Sequence, residues 1–175
     1  PHTPQRRKHT SSNSLRSEES TQFNKGKFTW FFLLLFLLPI HSFGVTYVTT
    51  GNGAYNNCAI WSPTCPPNPI PLGDTVIIQH NIGLVADLDI EGVLIIDSLA
   101  TLSGNHEIKI LPSGTVYNNG AINITDEMHV DGSLYNSGYI FANEIHSDGY
   151  ICNSGTIEID PNETFKNHGG LVECG

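Results

Sequence analysis

The chain has 175 residues, of which 39% are hydrophobic and only 14% charged, with 17 Gly and 10 Pro. That size admits one domain, and low charge with abundant Gly resembles neither a soluble helical protein nor a disordered tail. The net charge of −9 excludes the clustered Lys and Arg of a nucleic-acid surface.

The charge is unevenly spread. Six of the eight basic residues (Arg6, Arg7, Lys8, Arg16, Lys25, Lys27) precede residue 28. From Val45 onward, two basic residues face fifteen acidic ones, a net of −13. Residues 28–40 read FTWFFLLLFLLPI, thirteen residues without a charge. This is short of the ~20 that cross a bilayer as a helix. Lys25 and Lys27 precede the run, and Ser42-Phe43-Gly44 supplies small residues after it. The order predicts a secretory leader over 1–44, cleaved after Gly44, with a retained membrane anchor as the alternative.

Residues 45–72 predict a strand at Thr46–Thr50 and then an irregular Pro-rich loop that caps the coils downstream. The four cysteines, Cys58, Cys65, Cys152 and Cys174, all lie behind the leader, where disulfides persist. Cys58 and Cys65 enclose a short loop and form the expected pair. Cys152 and Cys174 are 22 residues apart and meet only if the chain makes one full coil between them. No C-x-x-C pair exists to favour zinc.

Residues 73–175 carry a repeat. Gly114-Thr-Val-Tyr-Asn-Asn-Gly120, Gly132-Ser-Leu-Tyr-Asn-Ser-Gly138 and Gly149-Tyr-Ile-Cys-Asn-Ser-Gly155 share one frame. Starts at Gly92, Gly114, Gly132, Gly149 and Gly169 are separated by 22, 18, 17 and 20 residues. Apolar residues alternate with period two in each unit, both before and after the second glycine. Short strands returning every ~19 residues predict an all-β, single-stranded parallel β-helix of about five coils, right-handed as parallel crossovers usually are. Leu94, Val116, Leu134, Ile151 and Leu171 fill its interior. Asn118, Asn136 and Asn153 also point inward by parity, and their stacked amides form a hydrogen-bonded ladder. The glycines supply positive φ at the corners.

The stretches TYVTTGNGAYNNCAIWS (46–62) and PLGDTVIIQHNIGLVADLDIEGVLIIDSLATLSG (71–104) resemble the amino-terminal module of large secreted bacterial β-helical surface proteins. They are also similar to the glycine-rich β-helical domains of animal hyaluronan-related ectoproteins. The resemblance covers about residues 45–175 and rests on strand and turn motifs, which carry no chemistry. It implies a secreted or cell-surface adhesin-like protein with a polysaccharide or a surface protein as partner. No carboxy-terminal sorting domain of the kind many such proteins carry is visible. The stop at Gly175, where another unit has begun, is read as truncation.

Parallel β-helices also include polysaccharide lyases and hydrolases, whose carboxylates converge from neighbouring coils. Glu158 and Asp160 face outward, but their neighbours in the repeat are Asn123, Thr125, Phe141 and Asn143, so no catalytic residues are assigned. His80, His106, His129, His146 and His168 fall near coil ends and are read as polar loop residues. A metal column of them is the rarer alternative, and no metal ligands are assigned. Calcium held at turns by Asp126, Glu127, Asp131, Asp148, Asp160 and Glu163 is the weaker alternative to no cofactor. Tyr117 and Tyr135 share one outward position, with Tyr139 and Phe141 on the next side. Such a strip suits either sugar stacking or an ordinary ladder, and the ladder is preferred. Asn123-Ile-Thr125 and Asn162-Glu-Thr164 are glycosylation sequons if the source is eukaryotic.

The expected protein is thus a rigid secreted stalk or adhesive segment without a catalytic site. The alternative is a glycan-binding module or the leading coils of a polysaccharide-degrading enzyme.

Overall fold

A strand that buries every second residue needs a second wall, and a chain of such strands finds one by coiling on itself. The computed structural model describes residues 44–174 and shows this arrangement. The leader and its membrane-anchor alternative lie outside the described residues, apart from Gly44.

One rung consists of β1 (Thr46–Thr49), β2 (Gly53–Ala54) and the isolated bridge at Ile70, with β3 (Trp61–Ser62) turned back on β1. Five complete coils succeed it, each with three strands. These are β4 (Thr75–Ile78), β5 (Asn81–Gly83) and β6 (Leu88–Ile90), then β7 (Val93–Ile96), β8 (Thr101–Gly104) and β9 (Ile108–Ile110). Next come β10 (Thr115–Asn118), β11 (Ala121–Ile124) and β12 (Glu127–Val130), then β13 (Ser133–Asn136), β14 (Tyr139–Ala142) and β15 (Glu144–Ser147). The last full coil is β16 (Tyr150–Asn153), β17 (Thr156–Ile159) and β18 (Phe165–Asn167), and β19 (Gly170–Glu173) opens another. First, second and third strands of successive coils pair in parallel, which makes three sheets along one axis.

The register puts like on like. Leu94 lies beside Val116, Val116 beside Leu134, and Leu134 beside Ile151. Ile82, Leu102, Ile122 and Ile140 form a second column, and Leu88, Ile108, Met128 and Ile145 a third. These side chains are buried, so the interior is a continuous aliphatic cylinder. Each fully buried Leu or Ile contributes ~1.5–3 kcal/mol. At the first end, Tyr47, Tyr55 and Trp61 cover the cylinder. Trp61 and Tyr55 meet edge to face at 5.3 Å, and the indole Nε1 donates to the Tyr55 carbonyl at 2.9 Å. At the other end, Ile157, Ile159 and Phe165 are only partly covered.

Two expectations need correction. The repeat glycines do not serve positive φ, which among the described residues only Gly53 and Gly73 adopt. They serve close approach between coils. A Cβ on Gly132 would overlap the carbonyl oxygen of Gly114, one on Gly149 that of Gly132, and one on Gly169 that of Gly149. The coils come together here with backbone on backbone, and no side chain exists to move aside.

The histidines also divide differently. His129 and His146 are not loop residues but the outward centres of β12 and β15 on the third sheet. Likewise Glu127 is a strand residue and does not sit at a turn.

Candidate functional site

Alternation that sends Leu and Ile inward sends the intervening residues outward, where parallel register stacks them by type. Three such stacks bear on function.

On the first sheet, Tyr117 and Tyr135 are paired positions, and their rings lie face to face, 5.0 Å apart and 14° from parallel. Tyr150 leans against Tyr135 at 5.8 Å and 59°. The repeat frame does not reveal Tyr150 as a member of this strip, because it occupies the second position of its unit, not the fourth. It reaches Tyr135 diagonally, with Cys152 holding the paired position. Tyr117 in turn pairs with Ile95 on the preceding coil. The ring faces that would cover a sugar are therefore directed along the axis at neighbouring coils. Tyr139 and Phe141 lie on the second sheet, and the Tyr139 hydroxyl donates to Glu158 at 2.8 Å. This hydrogen bond, with smaller contributions from desolvation and the Glu158 charge, pushes the Tyr139 phenol above its ordinary value of 10.0. Asp160 turns instead to the Asn162 backbone and amide, at 2.8 and 2.9 Å.

Inside the first sheet, Asn118 Nδ2 donates to Asn136 Oδ1 at 2.7 Å, and Asn136 Nδ2 donates to Asn153 Oδ1 at 2.7 Å. Remaining amide hydrogens reach backbone carbonyls, Asn118 to Tyr139 at 3.0 Å and Asn136 to Thr156 at 3.2 Å. The ladder ends at Asn118, whose buried Oδ1 has no partner because the coil before it holds Ile96.

The third sheet carries the densest chemistry. Glu127 pairs with Glu144 and His129 with His146, so two Glu-x-His strands lie in register. The imidazoles stack at 5.2 Å and 24°. Glu127 Oε1 is 3.1 Å from His129 Nε2 and 3.6 Å from His146 Nε2, while Glu144 Oε1 is 2.9 Å from His146 Nε2. Lys166, next in the histidine column, donates to Glu144 at 2.7 Å and contacts His146 Nε2 at 3.1 Å. The Lys166 hydrogen bond, then those of His146 and Thr164, draw the Glu144 carboxyl down to about 2. Lys166 thus belongs to the third face, whereas Glu158 belongs to the second. On the other flank, Lys109 pairs in register with His129 and is held by Glu107 at 3.2 Å.

The other histidines are dispersed. His80 Nδ1 contacts Thr49 Oγ1 at 3.0 Å, His106 faces Asp87 at 3.5 Å, and His168 faces Asp148 at 3.3 Å. Among the acidic residues considered for calcium, Asp126 accepts the Glu127 amide at 2.9 Å and Asp148 is occupied by His168. Glu163 and Asp131 lie on separate turns.

The cysteines form two bridges. Cys58 pairs with Cys65 across a Cα–Cα distance of 4.4 Å, and Cys152 with Cys174 across 5.5 Å. The second bridge joins β16 to the chain just after β19, one coil onward, which is the geometry its 22-residue spacing demanded.

No protein family, curated protein or solved structure matches this chain. The β-solenoid is established by the structure itself.

Proposed function

We propose that the chain is a secreted or cell-surface β-solenoid segment that acts as a rigid stalk or adhesive surface and has no catalytic site of its own. The observation that carries this reading is the unbroken register of five coils over one aliphatic cylinder. A solenoid of this kind transmits length and presents flat, repeating faces. Two disulfides are compatible with an oxidising compartment, and the basic, apolar, small-residue order of the leader supports export. The likeness to the amino-terminal modules of bacterial surface proteins points the same way. The axial direction of the Tyr117 and Tyr135 ring faces favours a stabilising ladder over a sugar platform.

Two measurements on the full chain test this. Expression in a secretory host should release a product whose amino terminus is Val45, with Cys58–Cys65 and Cys152–Cys174 bridged. A glycan array together with a polysaccharide panel should show neither ring-dependent binding nor new chain ends. Glycan binding that the Tyr117→Ala/Tyr135→Ala double variant abolishes would replace the stalk reading with a glycan-binding module. Polysaccharide cleavage would replace it with an enzyme.

A further inference from the structure

The Glu-x-His strands β12 and β15 do more than decorate a stalk. We propose that Glu127, His129 and His146 form a binding site for one divalent transition-metal ion of the zinc class, with solvent in the fourth position.

The donor atoms already have the spacing of a coordination shell. One ligand atom from each of Glu127, His129 and His146 can be chosen so that all lie within 4.8 Å of one another. Zinc takes nitrogen at ~2.0–2.1 Å and carboxylate oxygen at ~2.0–2.2 Å in a tetrahedron, which sets neighbouring donors about 3.3 Å apart. The observed separations from Glu127 Oε1, 3.1 Å to His129 Nε2 and 3.6 Å to His146 Nε2, bracket that value. Glu144 Oε1, 2.9 Å from His146 Nε2, falls outside this group and is held by Thr164 and Lys166. Two nitrogens with one carboxylate suit zinc, and cobalt as its optical substitute, better than the all-oxygen preference of calcium or magnesium.

The donors are also preorganised. They stand on adjacent rungs of a parallel sheet at paired positions, so backbone hydrogen bonds fix their spacing. Each side chain is about one-third exposed or less, which leaves an approach from solvent while limiting rotamer freedom. The sequence expectation of no metal ligands rested on placing these histidines in loops. Their positions on strands remove that premise.

One group opposes the ion. The Lys166 ammonium contacts both Glu144 and His146 Nε2, and metal binding requires it to leave the imidazole. Its side chain is 47% exposed, so it can swing outward. Lys109 is already held by Glu107 on the far side of His129.

The test uses the untagged full chain with Zn2+ in competition against a chromogenic chelator, and Co2+ absorption between 500 and 700 nm for geometry. The expected result is one equivalent of metal on this site and a tetrahedral cobalt spectrum. Glu127→Gln, His129→Ala and His146→Ala should each weaken binding at least ~10-fold, and Lys166→Met should strengthen it several-fold. His106→Ala should leave it unchanged. Far-UV circular dichroism of each variant checks that the solenoid is intact, which is expected for substitutions on an outward face. No zinc bound by the wild type at millimolar concentration, or binding untouched by the His129→Ala/His146→Ala double variant, overturns the proposal and leaves a carboxylate–imidazole ladder only.

Discussion

Replacing Asn136 by Leu isolates the contribution of the buried amide ladder. Asn136 sits between its two partners, with 2.7 Å hydrogen bonds on both sides and a third at 3.2 Å to the Thr156 carbonyl. Asn118 is fully buried and its Oδ1 is already unpaired, so the substitution leaves that amide with one bond, to Tyr139. Three lost bonds at ~1 kcal/mol each, with the desolvation of a newly orphaned N–H at ~1–3 kcal/mol, outweigh the apolar burial that Leu adds. The net expectation is a loss of about 3 kcal/mol. Urea unfolding monitored by circular dichroism measures it, as a fall in midpoint at unchanged slope. The triple variant Asn118→Leu/Asn136→Leu/Asn153→Leu should recover most of the loss, because no half-partnered amide remains. A single variant as stable as the wild type, or a triple variant that loses three times as much, would refute the reasoning.

Ile96→Asn should be tolerated better than Ile78→Asn, though both sites are fully buried on the first sheet. Only the former sits beside Asn118 Oδ1 and can give it a donor, so the unfolding free energies from urea titration should differ by about 1–2 kcal/mol. Gly149→Ala should destabilise by about 1–3 kcal/mol in the same assay, since its Cβ meets the Gly132 carbonyl and the backbone cannot yield. Gly83→Ala, with nothing within 4 Å of the new methyl, is the neutral control. In an alkaline titration monitored at 295 nm, Glu158→Gln should bring one phenol back toward 10.0. Linkage sets the sign of the accompanying stability change. A phenol raised in the folded state adds stability below its ordinary value, lost as pH climbs through the folded one, so wild type should exceed Glu158→Gln in stability below pH 10 and the difference should shrink at higher pH.

Two of the three faces were legible in the sequence, and the third was not, for a physical reason. In the coils β10–β12, β13–β15 and β16–β18 the first and second strands each follow a glycine that backbone contact requires, so Gly114, Gly120, Gly132, Gly138, Gly149 and Gly155 mark their register. The third strands begin after corners that need no close approach and vary in length. Residues 125–126 separate β11 from β12, residue 143 alone separates β14 from β15, and residues 160–164 separate β17 from β18. That drift hid the alignment of Glu127-Met-His129 with Glu144-Ile-His146, although both show the same Glu-x-His triplet 17 residues apart. The glycines were found for the wrong reason. Their frame suggests corner conformation, whereas the carbonyl of the coil beneath is what forbids a side chain. Asn118, Asn136 and Asn153 were readable by parity alone, yet the unpaired Oδ1 at the start of the ladder emerges only from the register that sets Ile96 against Asn118.

Methyl-to-methyl nuclear Overhauser contacts along the first interior column test the stacking itself. Val116 should contact Leu134 and Leu134 should contact Ile151, with no direct contact between Val116 and Ile151, as strands about 4.8 Å apart require. Methyls of these three residues that show no mutual contacts, or whose signals a soluble paramagnetic probe broadens as it does those of exposed side chains, would contradict the coiled architecture and everything built on it.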